Sequence, residues 1–437
     1  MRRRAAMLLP LALAGCETLD DLFTTHKDPI PGTRVAVMTE RAGLTLDPAM
    51  KGRVALPRPV ERPDAPQPGV TPTHVLGHPA LRDSVAQAFS SSIGEGGGYR
   101  RKILAQPVIA DGRVVTMDSD GAVSAFDART GGRAWRVETQ ADDNRSSNIG
   151  GGVAIDGGVV FAATGRGEIL ALDGVTGTVK WRKPLGTAAR SAPTLAEGRL
   201  HVATLDDQLS TMAADDGRKL WSYQAVNPST ALLGLPAPAF SDGIVVAGFG
   251  SGDLIALRAV SGAVIWSDSL AASRGRTSLL DLSTVHGLPV IANGVVLAIS
   301  LGGLMLAIDL RSGRRLWERD IGSTETPCVA GDWVFVLTTN QVLAALDVAE
   351  SRVAWTTQLP KWERPEKQRD PITWVGPVLA GDRLLLAGSN ATALAASPYT
   401  GEIIGEQKLS GVASLAPVIA GGTAFIVTDD GNLIALR

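Results

Sequence analysis

The sequence predicts an all-β protein, an eight-bladed β-propeller whose blades are four-stranded antiparallel sheets. One observation is a hairpin-turn signal that recurs eight times between Asp111 and Gly422, at a mean spacing of about 44 residues, which is typical of propeller blades. Another is a nine-residue unit that ends in Trp and follows most of these turns. The third is composition: 45% of the 437 residues are hydrophobic, 20% are charged, and 49 are Gly.

The nine-residue unit is clearest at Asp309–Trp317, with close copies at Asp127–Trp135 and Asp173–Trp181. Asp and the following Thr or Ser can bond nearby backbone N–H groups, and Gly supplies a positive φ. The unit therefore predicts a tight turn between a third and a fourth strand, with a large ring on the fourth.

The first and second strands of each blade are joined by a two-residue turn flanked by β-forming apolar residues. A Pro or Gly stands four residues before each turn, which places every first strand in the same register. The turns are Asp111-Gly112, Asp156-Gly157, Glu197-Gly198, Asp242-Gly243, Asn293-Gly294, Gly331-Asp332, Gly381-Asp382 and Gly421-Gly422.

The second and third strands are near-continuous apolar runs, as expected when both faces of a sheet are covered by neighbours. The final unit has no fourth strand, because the chain stops at Arg437. Ser84–Ile93 precedes the first complete unit, and Phe89 stands 46 residues before Trp135, in phase with the ring positions. We therefore expect Ser84–Ile93 to pair beside Asn432–Arg437 and close the ring.

The N-terminal region predicts a targeting signal followed by a tether. Residues 1–15 form a signal peptide, with three Arg before a short apolar core, and Leu13-Ala14-Gly15-Cys16 resembles the lipobox of bacterial lipoproteins. We expect cleavage before Cys16, its lipidation, and anchoring to a membrane. Residues 16–83 are rich in Pro and predict an extended tether, to which His74 and His78 are assigned.

Charge and cysteine content exclude several function classes. The formal net charge of −2 offers no basic surface for nucleic acid. Cys328, the second of two Cys, follows Pro327 in an apolar strand and is expected to be a buried small hydrophobe. The five His include no pair at zinc-ligand spacing, and no Gly-rich stretch opens a helix as a phosphate loop does. We therefore expect no catalytic, metal-binding or cofactor-binding residues.

The long insertions lie between blades, which in a propeller places them all on one face, opposite the uniform tight turns. Such a face is usually the binding face. Two of the insertions carry apolar clusters and predict a partner surface. The four insertions are Gln140–Ile149, Gln224–Leu235, Asp268–His286 and Gln358–Thr373, and the clusters are Leu232, Leu233 and Leu235 in one and Leu279, Leu280 and Leu282 in another.

The repeat resembles the pyrroloquinoline-quinone-like propeller repeat, whose Ala-x-Asp-x-x-Thr-Gly-x-x-x-Trp signature is matched at Ala125–Trp135, Ala171–Trp181 and, with Ser for Thr, Ala307–Trp317. Together with the lipobox and the eight blades, the region 84–437 is similar to the BamB family of outer-membrane protein assembly lipoproteins. This resemblance implies a scaffold without catalysis. It also implies a location on the periplasmic face of the outer membrane. Residue 17 agrees with this location, because it is Glu and not the Asp that favours retention in the inner membrane.

The same resemblance implies the partners. Family members bind the periplasmic POTRA repeats of the barrel subunit BamA, together with other subunits of the machinery, and assist nascent outer-membrane proteins. The family's contact motif, Leu-x-Leu-Arg-Gly, aligns with residues 230–234, where Leu232 and Gly234 match and Leu233 replaces the Arg. In the next contact loop Thr284 and His286 stand where the family has acidic residues. The expected contact residues are Leu232, Leu233, Gly234, Leu235, Leu279, Leu280, Leu282, Thr284 and His286.

Two other functions remain open from the sequence. A periplasmic quinoprotein dehydrogenase shares the propeller but needs a calcium site, a catalytic Asp and usually an adjacent Cys pair, which this chain lacks. A sugar-binding propeller needs exposed aromatic platforms, whereas most Trp residues here belong to the repeat.

Overall fold

The computed structural model describes residues 43–98, 101–140, 148, 150–226, 234–271 and 284–437. Its regular structure is a set of β-strands and a single 3₁₀ turn at Pro48–Met50 within these ranges. No helix of the described residues has the length and apolar character needed to cross a membrane.

The strands form eight four-stranded antiparallel sheets in the described chain, which confirms the eight-bladed propeller. The first strand, β1 (Gln87–Ser92), belongs to the last blade, and the other blades follow in chain order. Blade one contains β2 (Val108–Ala110), β3 (Arg113–Met117), β4 (Val123–Asp127) and β5 (Arg133–Val137); blade two β6 (Gly151–Asp156), β7 (Val159–Thr164), β8 (Glu168–Asp173) and β9 (Val179–Pro184); blade three β10 (Thr194–Ala196), β11 (Arg199–Ala203), β12 (Gln208–Ala213) and β13 (Lys219–Gln224); blade four β14 (Ala239–Ser241), β15 (Ile244–Gly248), β16 (Asp253–Arg258) and β17 (Val264–Ser269).

The second half of the ring repeats the arrangement, with one extra hairpin between blades six and seven. Blade five contains β18 (Val290–Ala292), β19 (Val295–Ile299), β20 (Met305–Asp309) and β21 (Arg315–Arg319); blade six β22 (Cys328–Ala330), β23 (Trp333–Leu337), β24 (Val342–Asp347) and β25 (Val353–Gln358); the hairpin β26 (Trp362–Arg364) and β27 (Arg369–Pro371); blade seven β28 (Trp374–Ala380), β29 (Arg383–Gly388), β30 (Thr392–Ala396) and β31 (Ile403–Lys408); blade eight β32 (Val418–Ala420), β33 (Thr423–Thr428), β34 (Asn432–Leu436) and β1.

The ring closes as predicted, with both ends of the domain in blade eight. Strand β1 pairs antiparallel with β34, so that Gln87 lies opposite Leu436 and Ser92 opposite Asn432. Phe89 packs on Gly131 of blade one, which confirms it as a ring residue of the same phase as the Trp series. Closure removes the long exposed edges that an open sheet would present.

The Asp-x-x-Thr-Gly turns have the predicted chemistry. In blade five, Asp309 Oδ1 accepts hydrogen bonds from Ser312 Oγ at 2.6 Å and Ser312 N at 2.8 Å, and Gly313 has φ +71°. These bonds from Ser312 hold the pKa of Asp309 below its ordinary value. The Asp, Ser and Gly are turn-building residues and leave no free group for chemistry.

The ring residues bind each blade to the next. Trp266 of blade four donates its indole N–H to the carbonyl of Leu310 in the blade-five turn, at 2.7 Å, and its Cβ and Cγ lie against Gly313. Trp135, Trp221, Trp317 and Trp355 make the same type of indole bond to the following blade. Each seam also holds a cluster of buried apolar side chains, such as the one shared by blades four and five.

The seam between blades seven and eight differs from these. Gly405 occupies the ring position of blade seven, and blade eight has no turn between its third and outer strands, because β34 ends the chain and β1 arrives from upstream. The described chain therefore has no ring-to-turn contact at this one seam. Apolar packing across it remains.

Residues 43–83, which the sequence assigned to a tether, are packed on the propeller in the structure. We call residues 57–83 of this segment the strap. Its carbonyl groups accept N–H bonds from the innermost strands: Ala65 exchanges two 2.8 Å bonds with Ile109 of blade one, and Pro66 accepts from Ile155 of blade two at 2.7 Å. The innermost strand of a blade has one unpaired edge facing the channel, and the strap satisfies its donors. Residues 16–42 of the expected tether lie outside the described residues.

The strap also changes the environment of the two histidines assigned to the tether. His74 is 2% exposed, and its Nδ1 lies 2.7 Å from the carbonyl oxygen of Pro289. Because a carbonyl only accepts, Nδ1 carries the proton, and burial lowers the pKa of His74 to about 4. His78 is 6% exposed and bonds the carbonyl of Pro57 at 2.7 Å. Both are buried structural residues.

Candidate partner-binding face

We call the side of the ring that carries the inter-blade connections the loop face, and the opposite side the turn face. Each first strand runs from the loop face to the turn face, where the strap lies against its far end. The insertion after blade six is described in full and forms the hairpin β26–β27, whose side chains are largely exposed and charged. This insertion therefore extends the loop face, while the described turns of the opposite face are short.

The central channel is a pocket of about 290 Å³ with its floor on the strap. Gln67–Val70 and His74 of the strap line it, together with Arg190, His286 and Glu325 from the connections between blades. This volume is at the small end of ligand pockets. Among the described residues, no three His, Cys, Asp or Glu side chains lie close enough together to hold a metal ion.

The structure brings the described parts of two predicted contact loops together at the rim of this pocket. Gly234 has φ +83°, and a Cβ placed on it would lie 3.6 Å from His286 Nε2. His286 Nδ1 donates to the carbonyl of Thr324 at 3.0 Å, which ties the loop between blades four and five to the next connection. Gly234 and His286 are therefore neighbours, although 52 residues separate them in the sequence.

Two other predicted contact residues are buried and support the loops from below. Leu235 is 8% exposed, and its N–H donates to the carbonyl of Arg190 at 3.0 Å. Thr284 is fully buried, and its hydroxyl donates to the carbonyl of Gly250 at 3.1 Å. The sequence suggested an exposed Leu235, but the structure makes it an anchor. Leu232, Leu233, Leu279, Leu280 and Leu282 lie outside the described residues.

A charged pair beside this rim was not found from the sequence. Asp207 is 1% exposed and accepts the N–H of Gly250 at 3.4 Å. Burial raises the pKa of Asp207 to about 6, although the positive charge of Arg190 acts to lower it. Arg190 is 8% exposed. The adjacent carboxylates Asp206 and Asp207, in the turn between β11 and β12, were a possible signal, whereas nothing in the sequence around Arg190 marks it.

Glu325 lies in the pocket wall with its carboxylate engaged. Its Oε2 accepts the N–H of Gly376 at 2.9 Å, and its Oε1 lies 3.2 Å from the hydroxyl of Thr324. Burial raises the pKa of Glu325. Cys328 lies nearby in β22, is 5% exposed, and has its pKa raised to about 12 by burial, which agrees with the predicted buried hydrophobe. A thiol of this kind reacts slowly at neutral pH unless the structure around it opens.

Comparison with known proteins points to one family. The family model for "Outer membrane protein assembly factor BamB" matches residues 82–149, 119–357 and 361–437 and leaves residues 43–81 unmatched. The chain is 30% identical over 355 residues to the outer membrane protein assembly factor BamB of Salmonella typhimurium, covering 80% of this chain and 88% of that protein. It is 30% identical over 356 residues, with the same coverage, to that of Escherichia coli.

Two solved structures share the fold. BamB from Moraxella catarrhalis superposes with a TM-score of 0.68 at 19% identity, covering 81% of this chain and 100% of that one. A quinohemoprotein alcohol dehydrogenase from Comamonas testosteroni superposes with a TM-score of 0.65 at 15% identity, covering 89% of this chain and 83% of that one. At these identities the superpositions establish the propeller alone.

Proposed function

We propose a scaffold function from the premise that this chain belongs to the family of the outer membrane protein assembly factor BamB. Membership in this family makes the chain an outer-membrane protein assembly factor. The finer proposal is that its loop face binds the barrel subunit BamA through the POTRA repeats, with other subunits of the machinery and nascent outer-membrane proteins as further partners. The role is non-catalytic, and lipid on Cys16 anchors the chain at the periplasmic face of the outer membrane.

The observation that carries this proposal is the meeting of two loops at the channel rim. Gly234 and His286 belong to the connections that precede and follow blade four, and both connections continue into the Leu-bearing segments singled out in the sequence. Their buried ends are held by the N–H of Leu235 and the hydroxyl of Thr284, which donate to the backbone carbonyls of Arg190 and Gly250. A rigid frame in which the described ends of two connections meet suits a protein-binding surface.

The charge of the rim gives the expected surface a definite character. Asp207 and Arg190 offset each other at the base of the loops, and the positions that are acidic in the family are Thr284 and His286 here. Thr284 is fully buried, so it presents no polar group to a partner. We therefore expect an interface that relies on apolar contact more than on ion pairs, with weak dependence on salt.

The proposal is tested by matched charge substitutions on the two faces. Val226, beside the loop after blade three, is 72% exposed, and Val260, in a turn-face turn of blade four, is 70% exposed. We expect Val226→Glu and the double variant L232E/L233E to lose co-purification with BamA from detergent-solubilised envelopes, while Val260→Glu retains it. Equal recovery of BamA with all variants would refute binding through this face.

The anchor has its own test. Cys16→Ala should abolish incorporation of labelled palmitate and release the protein from the outer-membrane fraction, because the thiol and the amino group of Cys16 are the proposed acylation sites. Retention of label in the variant would place the lipid elsewhere in the chain.

The quinoprotein alternative makes a different prediction. It requires stoichiometric binding of pyrroloquinoline quinone with Ca²⁺ by the purified protein and oxidation of an alcohol with an artificial electron acceptor. Measurement of both separates an enzyme from a scaffold, since the scaffold proposal expects neither.

A further inference from the structure

The strap follows the channel wall from blade to blade. After Ala65 and Pro66 bond blades one and two, the side chain of Gln67 accepts the N–H of Leu195 in blade three at 2.8 Å. The carbonyl groups of Pro72 and Thr73 then accept the N–H groups of Phe240 and Ile291, in blades four and five, at 2.7 and 2.8 Å. In β10, β14 and β18 the donor is the middle residue of the innermost strand, so one unpaired edge position is used repeatedly.

The two ends of the strap meet at blades seven and eight. The carbonyl of Arg62 accepts the N–H of Gly421 in blade eight at 2.7 Å, and the carbonyl of Pro79 accepts the N–H of Gly381 in blade seven at 2.9 Å. Val60 forms an isolated bridge with Pro79: its N–H donates to the carbonyl of His78, and its carbonyl accepts the N–H of Ala80, both at 2.9 Å. The strap therefore circles the channel and closes on itself.

This closure lies at the seam that lacks a ring-to-turn contact. His78 joins the two ends of the strap to blade seven, because its Nδ1 donates to Pro57 and its Nε2 accepts the N–H of Asp382 at 2.9 Å. The guanidinium group of Arg383 donates to the carbonyl groups of Arg82 and Asp83. Blades seven and eight are thus both hydrogen-bonded to the strap. At the other seams, a ring residue of one blade contacts a turn of the next blade.

We propose that the strap is an intramolecular clasp that holds blades seven and eight together in place of the missing ring contact and seals the channel at the turn face. The seal leaves the loop face as the entrance to the pocket. A molecule that reaches the channel, whatever its chemistry, then enters from the side on which Gly234 and His286 lie. Residues 57–81 of the strap lie outside the part of the chain that matches the family model. The inference does not depend on the proposed function.

A pair of Gly positions allows the clasp to be loosened with a matched control. Gly381 and Gly157 are both the first residue of a turn between first and second strands, with φ of +52° and +53°. In blade two this turn is Gly157-Gly158, one residue later than the predicted Asp156-Gly157, because Asp156 is the last residue of β6. A Cβ on Gly381 would overlap the carbonyl oxygen of Leu81 in the strap, whereas a Cβ on Gly157 would meet nothing within 4 Å. Asn293 occupies this turn position in blade five with φ +50°, so the fold accepts Asn there.

The experiment compares Gly381→Asn with Gly157→Asn in the full chain by hydrogen exchange and mass spectrometry. Loss of one backbone bond, about 1 kcal/mol, corresponds to about fivefold faster exchange. We expect this acceleration in β1, β31 and β34, at the seam of blades seven and eight, for Gly381→Asn and not for Gly157→Asn. The same exchange profile in both variants, or acceleration confined to the altered turn, would overturn the proposal.

Two further measurements keep the test decisive if Gly381→Asn fails to fold. His78→Ala removes the bonds to Pro57 and Asp382 without adding a clash and should accelerate exchange at the same seam. In a Cys16→Ser background, Cys328 is the remaining thiol of the sequence and lines the channel. Its modification by a maleimide should be faster in His78→Ala than in the parent, and an unchanged rate together with unchanged exchange would rule out the clasp.

Discussion

Trp266 allows the contribution of the ring-to-turn contact to be divided into two parts. Its indole N–H bonds the carbonyl of Leu310, a residue that is 1% exposed, and its Cβ and Cγ lie against Gly313. Trp266→Phe keeps Cβ, Cγ and a ring but leaves the buried carbonyl without its donor, at a cost of about 1–3 kcal/mol. Trp266→Ala also removes the ring from a site that is 8% exposed, and large-to-small changes of this type cost about 3–5 kcal/mol.

The assay is urea unfolding followed by circular dichroism, with the midpoint and slope compared among variants. We expect the midpoint to fall in the order wild type, Trp266→Phe, Trp266→Ala, with Leu316→Ala as a control. Leu316 is on the outer strand of the next blade and 38% exposed, so its truncation should change stability by no more than about 0.5 kcal/mol. Equal losses for the Phe and Ala variants would refute the reasoning, because they would show that ring packing contributes nothing to the seam.

Two other predictions follow from buried groups. The pKa of His74 is about 4 in the folded protein and 6.5 in a model compound, so the unfolded chain takes up the proton first as the pH falls. The contribution of neutral His74 to the free energy of unfolding is therefore fully present above pH 6.5 and is lost as the pH falls to about 4. The loss is up to about 3 kcal/mol at 1.36 kcal/mol per pKa unit, and His74→Asn should flatten this part of a plot of melting temperature against pH; an unchanged slope would contradict the assignment. A Cβ on Gly401 (φ +78°) would overlap the ring of Trp355, whereas one on Gly294 (φ +77°) would meet nothing within 4 Å, so Gly401→Ala should lower the melting temperature more than Gly294→Ala, and equal shifts would show that ring contact is not limiting.

Much of the architecture was predictable from the sequence because it repeats. A turn such as Asp309–Gly313 carries its own hydrogen-bond partners and its own positive-φ residue, so local chemistry defines it wherever it occurs. The count of copies then gave the number of blades, and the phase of Phe89 gave the strand that closes the ring. Periodic signals of this kind depend on short-range geometry, which a sequence displays directly.

The candidate site was predicted less completely. The sequence predicted one face for the insertions, and the hairpin β26–β27 is the insertion that the structure describes in full. The sequence did not show that Leu235 and Thr284 are buried supports or that Gly234 and His286 meet. It gave no indication of Arg190 beside Asp207. These relations join residues of different blades, and their distances depend on how the ring closes.

The strap shows the same limit most clearly. Prolines predict an extended chain, whereas the strap has turns within residues 67–74. Its bonding partners are backbone N–H groups of the blades that lie up to several hundred residues away in the sequence. Nothing local distinguishes an extended segment in solvent from one paired along a channel. The sequence determined the blades because each carries its own turn chemistry. Only the tertiary structure decided the path of the strap, because the unpaired edges of the innermost strands line a channel only after the ring has closed.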